Sequence, residues 1–367
     1  MKHNVNKYVR AFCPRPFNLV KISSDGNVNM CCHQSNNYLG NLFEKPFEDI
    51  WFSYFAEGIR TDTKNGRLHP MCNTIECPFK YKDIAAEMTE IVANGRGYPT
   101  QLEFDLHGSH CNFGGLNPTP ETACIMCPRS RPDFHQHLSA HPDRTDELVA
   151  KIAHIVPNLK TLNILGIAEP FWKDKIFEIL EKFNFQRYKK QIAVWTTSNA
   201  SVFDEQKQNR LLQLAEDTDI HFSLDAATPE TFLKIRRSHT FHTCCKNIKS
   251  WCAKRDECKK NQTGKHFVRM HNNINTLNLH EVNDMVLMSK DMGIDLLVLL
   301  PTHDCGGSHK SLESIIVNPQ NYKRFLKAEE SAKKLAESIG LEILFSRPLS
   351  LNIELKPPTQ LVELKIL

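Results

Sequence analysis

Three cysteines in one segment are spaced for metal chemistry. Cys111 is followed by twelve residues and then by Cys124-Ile125-Met126-Cys127, within HGSHCNFGGLNPTPETACIMCPRS. A stretch this rich in Gly, Pro, Asn and Thr can wrap around a ligand. Three thiolates hold three irons of a cubane and leave the fourth open, the logic of a catalytic metal site with a free position. The same CxxC pair suits zinc, and His107 and His110 stand near enough in sequence to be offered as a fourth ligand. A second set lies earlier in the chain. Cys13, Gly26 and Cys31 follow the spacing C-x12-G-x4-C, and Cys72 and Cys77 follow C-x4-C. Four thiolates are a full set for one cubane or for a structural zinc ion. Cys32 adjoins Cys31 and could replace it.

Thirteen cysteines in 367 residues set the class. The opening MKHNVNKYVR has no apolar run of a secretory signal, and no stretch reaches the roughly 18 apolar residues of a membrane helix. A reducing, cytoplasmic compartment is expected, where clustered cysteines serve metals rather than disulfides. Cys244, Cys245, Cys252, Cys258 and Cys305 lack ligand-like spacing and read as small buried hydrophobes. With 46 basic against 42 acidic residues and no basic stripe, nucleic acid is not an expected partner. An apolar share of 41% allows a large core.

From about residue 100 the pattern repeats strand, loop and helix. The strand candidates are 102–106, 161–165, 192–196, 220–224, 267–271 and 296–300. DELVAKIAHIV, KDKIFEILEKF, EQKQNRLLQLA, PETFLKI and HEVNDMVLMSKDM read as helices between them, and Gly293 as a helix stop. Alternating units of this kind predict an α/β fold with a parallel sheet, here a partial (β/α)6 TIM-like barrel. Chemistry in such folds gathers beyond the carboxyl ends of the strands. Before this region, NLVKI-SSDGN-VNMCC reads as a hairpin turning at Asp25-Gly26, and FEDIWFSYFAEGIR as helical. After it come a long helix ending at Gly340 and the strand LEILFS. The expected division is an N-terminal metal module at 1–95, the barrel at 98–305, and a C-terminal helix and strand at 306–367 that complete it.

CNFGGLNPTPETACIMCPR resembles the cluster loop of the radical S-adenosylmethionine (SAM) superfamily. The usual pattern there is C-x3-C-x2-C with an aromatic residue or Met before the last Cys. Met126 takes that place, while the first gap is twelve residues instead of three. Gly166-Ile167-Ala168-Glu169-Pro170 resembles the family's GGEP segment, which receives the amino group of SAM, with Ala168 replacing the second Gly. Thr196-Thr197-Ser198-Asn199 is similar to the TNG segment near the ribose, although Ser and Asn also cap helices. Phe222-Ser223-Leu224-Asp225-Ala226-Ala227-Thr228-Pro229-Glu230-Thr231 resembles the family's SLDGATPET stretch, and Ile235-Arg236-Arg237 its following IR. Thr228 and Pro229 are explained by a helix start; Ser223, Asp225 and one of the two arginines are not. The arginine, taken as Arg237 with Arg236 as its rival, suits the carboxylate of SAM. His271-Asn272-Asn273 adds polar groups where the family often contacts adenine or SAM. The matches occur in order over about 200 residues, each at a strand end.

The early cysteines, with YLGNLFEKPFEDIWFS following the first of them, resemble the SPASM or twitch module that carries auxiliary clusters in this superfamily. That module usually follows the barrel; here it precedes it, with thiolates for one cluster, Cys13, Cys31, Cys72 and Cys77. The resemblance implies a catalytic 4Fe-4S cluster with an open iron, an auxiliary 4Fe-4S cluster, bound SAM, and an electron donor such as flavodoxin or ferredoxin. It implies reductive cleavage of SAM to a 5′-deoxyadenosyl radical that abstracts hydrogen from a peptide or protein. Small-molecule chemistry on a carbohydrate, nucleoside or cofactor precursor is the alternative within the enzyme class. A zinc-stabilised, non-catalytic scaffold is the alternative outside it.

Overall fold

A computed structural model of the chain describes residues 13–31, 38–72, 97–302 and 315–345, apart from 68, 116, 117, 120, 132, 133, 135, 137–139 and 319. The expected N-terminal hairpin is present: β1 (Leu19–Ile22) pairs antiparallel with β2 (Asn27–Asn29). Gly26 turns it at φ 85°, where an added Cβ would lie 2.8 Å from Asn41 Oδ1 and from the Phe43 ring. Asn41, in β3 (Gly40–Asn41), locks the turn by donating from Nδ2 to Asp25 O at 2.9 Å and Asn27 Oδ1 at 3.0 Å. The predicted helical stretch is two helices, α1 (Phe47–Trp51) and α2 (Tyr54–Lys64), because Ser53 caps the second by accepting from Ala56 N. Trp51 is fully buried and donates to Gly97 O at 3.0 Å. The Arg60 guanidinium stands 4.5 Å over its ring and donates to Pro16 O and Trp51 O.

β1 also pairs in parallel with β4 (Gln101–Leu106), so the hairpin extends the main sheet. β5 (Thr161–Gly166), β6 (Ala193–Ser198), β7 (Asp217–Ser223), β8 (Lys265–Ile274) and β9 (Leu296–Pro301) follow in chain order, each parallel to its predecessor. β10 (Glu342–Phe345) adds in parallel to β9. Among the described residues the sheet has ten strands and is open, ending at β3 and β10. The expected six-unit α/β core is therefore present and unclosed.

Burial alternates along β4, β5 and β6 and over all ten residues of β8, while β9 is buried nearly throughout. Leu102, Phe104, Leu162, Ile164, Ile220, Phe222, Val268 and Met270 belong to one buried core. Helices α3 (Thr145–Ile152), α4 (Lys175–Lys182), α5 (Glu205–Leu214), α6 (Pro229–Arg236), α7 (Phe241–Asn261), α8 (Val282–Met292) and α9 (Tyr322–Ile339) contribute to the same core. Burying this apolar surface is what drives the layers together. α8 and α9 stop at the left-handed Gly293 and Gly340, as their sequences predict. The 21-residue α7 was not anticipated. Its buried stripe mixes Cys244, Ile248, Trp251 and Cys252 with Asn247 and Arg255, which blurs the apolar period. Cys244 and Cys252 are buried there as small hydrophobes, while Cys305 lies outside the described residues. Among the described residues, no helix is long and apolar enough to cross a membrane.

Candidate metal and cofactor site

The cysteine loop leaves β4 at Leu106, beyond the carboxyl end of that strand. Cys124 and Cys127 form a tight turn, Cys127 N donating to Cys124 O at 3.0 Å. Ile125 N donates to Ile235 O at 3.0 Å, pinning this turn to the end of α6. Cys124 Sγ lies 3.7 Å from both the carbonyl oxygen and the Nη1 of Arg236. Burial pushes the Cys111 thiol up to about 12, with Arg129 opposing the rise and Cys124 adding to it. Burial and Cys124 push Cys127 up to about 11. Buried thiols of this kind give up their protons when a metal takes the sulfurs.

Cys124 thus acts on both Cys111 and Cys127, yet among the described residues no group of three His, Cys, Asp or Glu side chains is placed to hold one metal ion. A tetrahedral zinc at its usual Zn–S length would draw its thiolates to about 3.8 Å of each other. Both histidines weighed as a fourth zinc ligand are engaged elsewhere. His107 Nδ1 meets Ser109 Oγ at 2.8 Å and its Nε2 meets His141 O at 2.7 Å. His110 Nε2 meets Asp143 Oδ2 at 2.6 Å.

The ends of β5 and β6 converge beside this loop. Glu169 is 1% exposed. Its Oε1 accepts from Ser198 Oγ at 2.8 Å and Phe171 N at 3.3 Å, and its Oε2 accepts from Asn199 N at 2.6 Å. Burial pushes this carboxyl up to about 7 against those hydrogen bonds. Glu169 N donates to His110 O at 2.6 Å, and Asn199 Nδ2 donates to Asn112 Oδ1 at 2.9 Å, so the cysteine loop is stitched to both strands. Glu169, Ser198 and Asn199 therefore form one cluster. Gly166 lies nearby: at φ 109° its Cβ position lies 2.7 Å from Leu106 O, so it admits the neighbouring strand end. Pro170 O accepts from Ile176 N at 2.9 Å and anchors α4.

β7 ends at Ser223, and Asp225 follows, fully buried with φ 64°. Asp225 Oδ1 accepts from Asn273 N at 2.6 Å, Asp225 N donates to Asn272 Oδ1 at 2.8 Å, and Asn278 Nδ2 reaches Asp225 O at 2.8 Å. Arg236 Nη2 pairs with Asp225 Oδ2 at 2.6 Å. Burial alone would lower this guanidinium, but Asp225 and Cys124 hold it above its ordinary value. Arg237 instead occupies an exposed left-handed position at the end of α6. Of the two arginines, the structure brings Arg236 to the cysteines and leaves Arg237 outside. Arg236 Nε, Asn272 Nδ2, Asn275 Nδ2 and His271 Nε2 are buried without a hydrogen-bond partner among the described residues.

Of the early cysteines, Cys13 is buried and Cys31 and Cys72 are half-buried, with Arg15 Nη1 donating to Cys31 Sγ at 3.3 Å. Cys32 and Cys77 lie outside the described residues. Sequence reasoning passed over Asn112, Arg129, Asn278 and Glu281. Glu281 accepts from Ala227 N, Thr228 Oγ1 and Thr231 Oγ1, fixing the start of α6 from a distant segment. Only Asn112 and Arg129, within two residues of Cys111 and Cys127, carried a signal in the sequence.

Residues 13–78 match the family model SPASM, an iron-sulfur cluster-binding domain. No curated protein matches the chain. Among solved structures, the chain is similar to SuiB from Streptococcus suis bound to S-adenosylmethionine, at 14% identity over 82% of this chain and 63% of that one, TM-score 0.47. It is similar to anSMEcpe with bound AdoMet, at 16% identity over 67% and 64%, TM-score 0.44. A radical SAM methyltransferase from Sphaerobacter thermophilus gives 13% over 66% and 65%, TM-score 0.41. The chain spans less than two thirds of the length of each of these proteins. The cysteines at the start of the chain thus lie in a segment that matches the SPASM iron-sulfur cluster-binding domain.

Proposed function

We propose that the chain is a radical SAM enzyme, with Cys111, Cys124 and Cys127 holding a catalytic 4Fe-4S cluster and SAM lying across the ends of β5, β6 and β7. What supports this most is the joining of the cysteine loop to a buried carboxylate cluster and a largely enclosed guanidinium. Glu169, buried, and Arg236, 11% exposed at its side chain, are opposite charges that act on each other, as a bound amino acid moiety requires.

The residues fit both groups. The histidines nearest the thiols are occupied elsewhere, which leaves three sulfurs without a fourth protein ligand from them. A carboxylate has about four lone-pair sites, and three on Glu169 are taken, leaving room on Oε2 for an amino group. Arg236 keeps Nε free of partners, and Asn272 and Asn275 each keep a buried Nδ2 unpaired, donors for carboxylate, ribose or base. The chemistry supplied when both groups are bound is one-electron cleavage of the sulfonium and hydrogen abstraction from substrate. The protein's part is to orient: Glu169 holds the amino group, Arg236 the carboxylate, and Asp225 keeps Arg236 charged and aimed.

The match at residues 13–78 supports an auxiliary 4Fe-4S cluster on Cys13, Cys31, Cys72 and Cys77, in a module over residues 1–95. It also supports a peptide or protein substrate, since radical SAM proteins with such modules often act on them. A reduced flavodoxin or ferredoxin in the cytoplasm would supply the electron. The test is anaerobic reconstitution with iron and sulfide, then SAM and dithionite. 5′-Deoxyadenosine should form in the wild type and not in Cys124→Ala. Equal formation in both would remove the ligand assignment.

A further inference from the structure

We propose that Arg129 is a positioning residue that closes the twelve-residue gap of the cysteine loop and places a buried positive charge against its sulfurs; this rests on the cluster reading above. Arg129 is 1% exposed and lies two residues after Cys127. Its Nη1 donates to Phe113 O at 2.5 Å and its Nη2 to Gly115 O at 2.5 Å. Phe113 lies two residues after Cys111. One planar fork therefore ties the chain leaving the first ligand to the chain leaving the third, across the expanded gap. Gly114 and Gly115 sit at φ 80° and 65°, a left-handed pair that turns these carbonyls toward the fork. A Cβ on Gly114 would lie 3.2 Å from Ala123 Cα, so the gap folds back onto the residue before Cys124.

The second observation is electrical. The partners of this guanidinium are neutral carbonyls, and among the described residues no carboxylate forms an ion pair with it. A buried cation without an anion is costly. Cys127 lies two residues before Arg129, and Cys111 two residues before the Phe113 carbonyl that Arg129 binds, so the guanidinium sits between the segments that carry the two sulfurs. The thiolates of a bound cluster are then its counter-charge, and Arg129 favours the more negative, reduced cluster.

The test compares wild type, Arg129→Met and Arg129→Lys, each reconstituted anaerobically and titrated electrochemically with EPR detection. The relevant signal is the one that Cys124→Ala abolishes. Arg129→Met should retain at least twofold less iron and show a tenfold lower ratio of reduced to oxidised cluster at a fixed potential, about 59 mV more negative for one electron. Arg129→Lys keeps the charge but not the fork, so its potential should stay near wild type while its iron falls. Wild-type iron and potential in Arg129→Met would overturn the proposal. Should that variant not fold, wild-type iron in Arg129→Lys would overturn it instead. A wild type with no such signal would overturn the underlying cluster reading.

Discussion

Replacing Glu169 by Gln should flatten the pH dependence of both stability and SAM binding. Burial holds the Glu169 carboxyl at about 7 against an ordinary 4.5. The folded state therefore keeps a proton that the unfolded chain releases between those values. Stability from this group is fully present below 4.5 and is lost as pH rises to 7. At about 1.36 kcal/mol for each unit of pKa, the loss is about 3 kcal/mol. Urea unfolding of wild type and Glu169→Gln across pH 4.5 to 8 reads the difference between the two slopes, which cancels every other titrating group. Wild type should lose about 3 kcal/mol more than the variant over that range. SAM, whose ammonium prefers the ionised carboxylate, should bind wild type about tenfold more tightly for each pH unit gained below 7 and level off above it. Parallel stability curves, or a pH-independent SAM affinity in wild type, would refute the reasoning.

Other perturbations separate the remaining roles. Gly166→Ala should destabilise the protein by about 3 kcal/mol, since its φ is 109° and the new Cβ meets Leu106 backbone atoms at 2.7 and 2.9 Å; an unchanged melting temperature would contradict it. Arg236→Lys should weaken SAM binding roughly tenfold by calorimetry while Arg237→Met leaves it within about twofold, because only Arg236 reaches Asp225 and Cys124. Cys72→Ala should lower iron per chain from about eight to about four and retain SAM cleavage, consistent with two cubanes of separate thiolates. Unchanged iron would remove the auxiliary site.

The fold was legible where the period was strict. β4, β5 and β9 begin within one residue of their predicted starts, and α5 begins on the predicted Glu205 after its Asp204 cap. β7 begins three residues early because Asp217 and Asp219 interrupt the apolar run, which hid that part of the strand. The candidate residues at strand ends were readable because strand order fixes which loops meet. Their division of labour was not. Gly166 also admits the neighbouring strand end, Arg236 rather than Arg237 faces the cysteines, and Glu281 holds the start of α6 from 53 residues beyond Thr228. Each depends on side-chain direction or long-range pairing, which spacing alone does not encode.

The EPR spectrum of dithionite-reduced, reconstituted protein, recorded before and after adding SAM, tests the central claim most directly. The account predicts a cluster signal that changes shape when SAM is added, persists in Cys72→Ala and is absent in Cys124→Ala. A colourless protein holding zinc, with no signal to change, would contradict it.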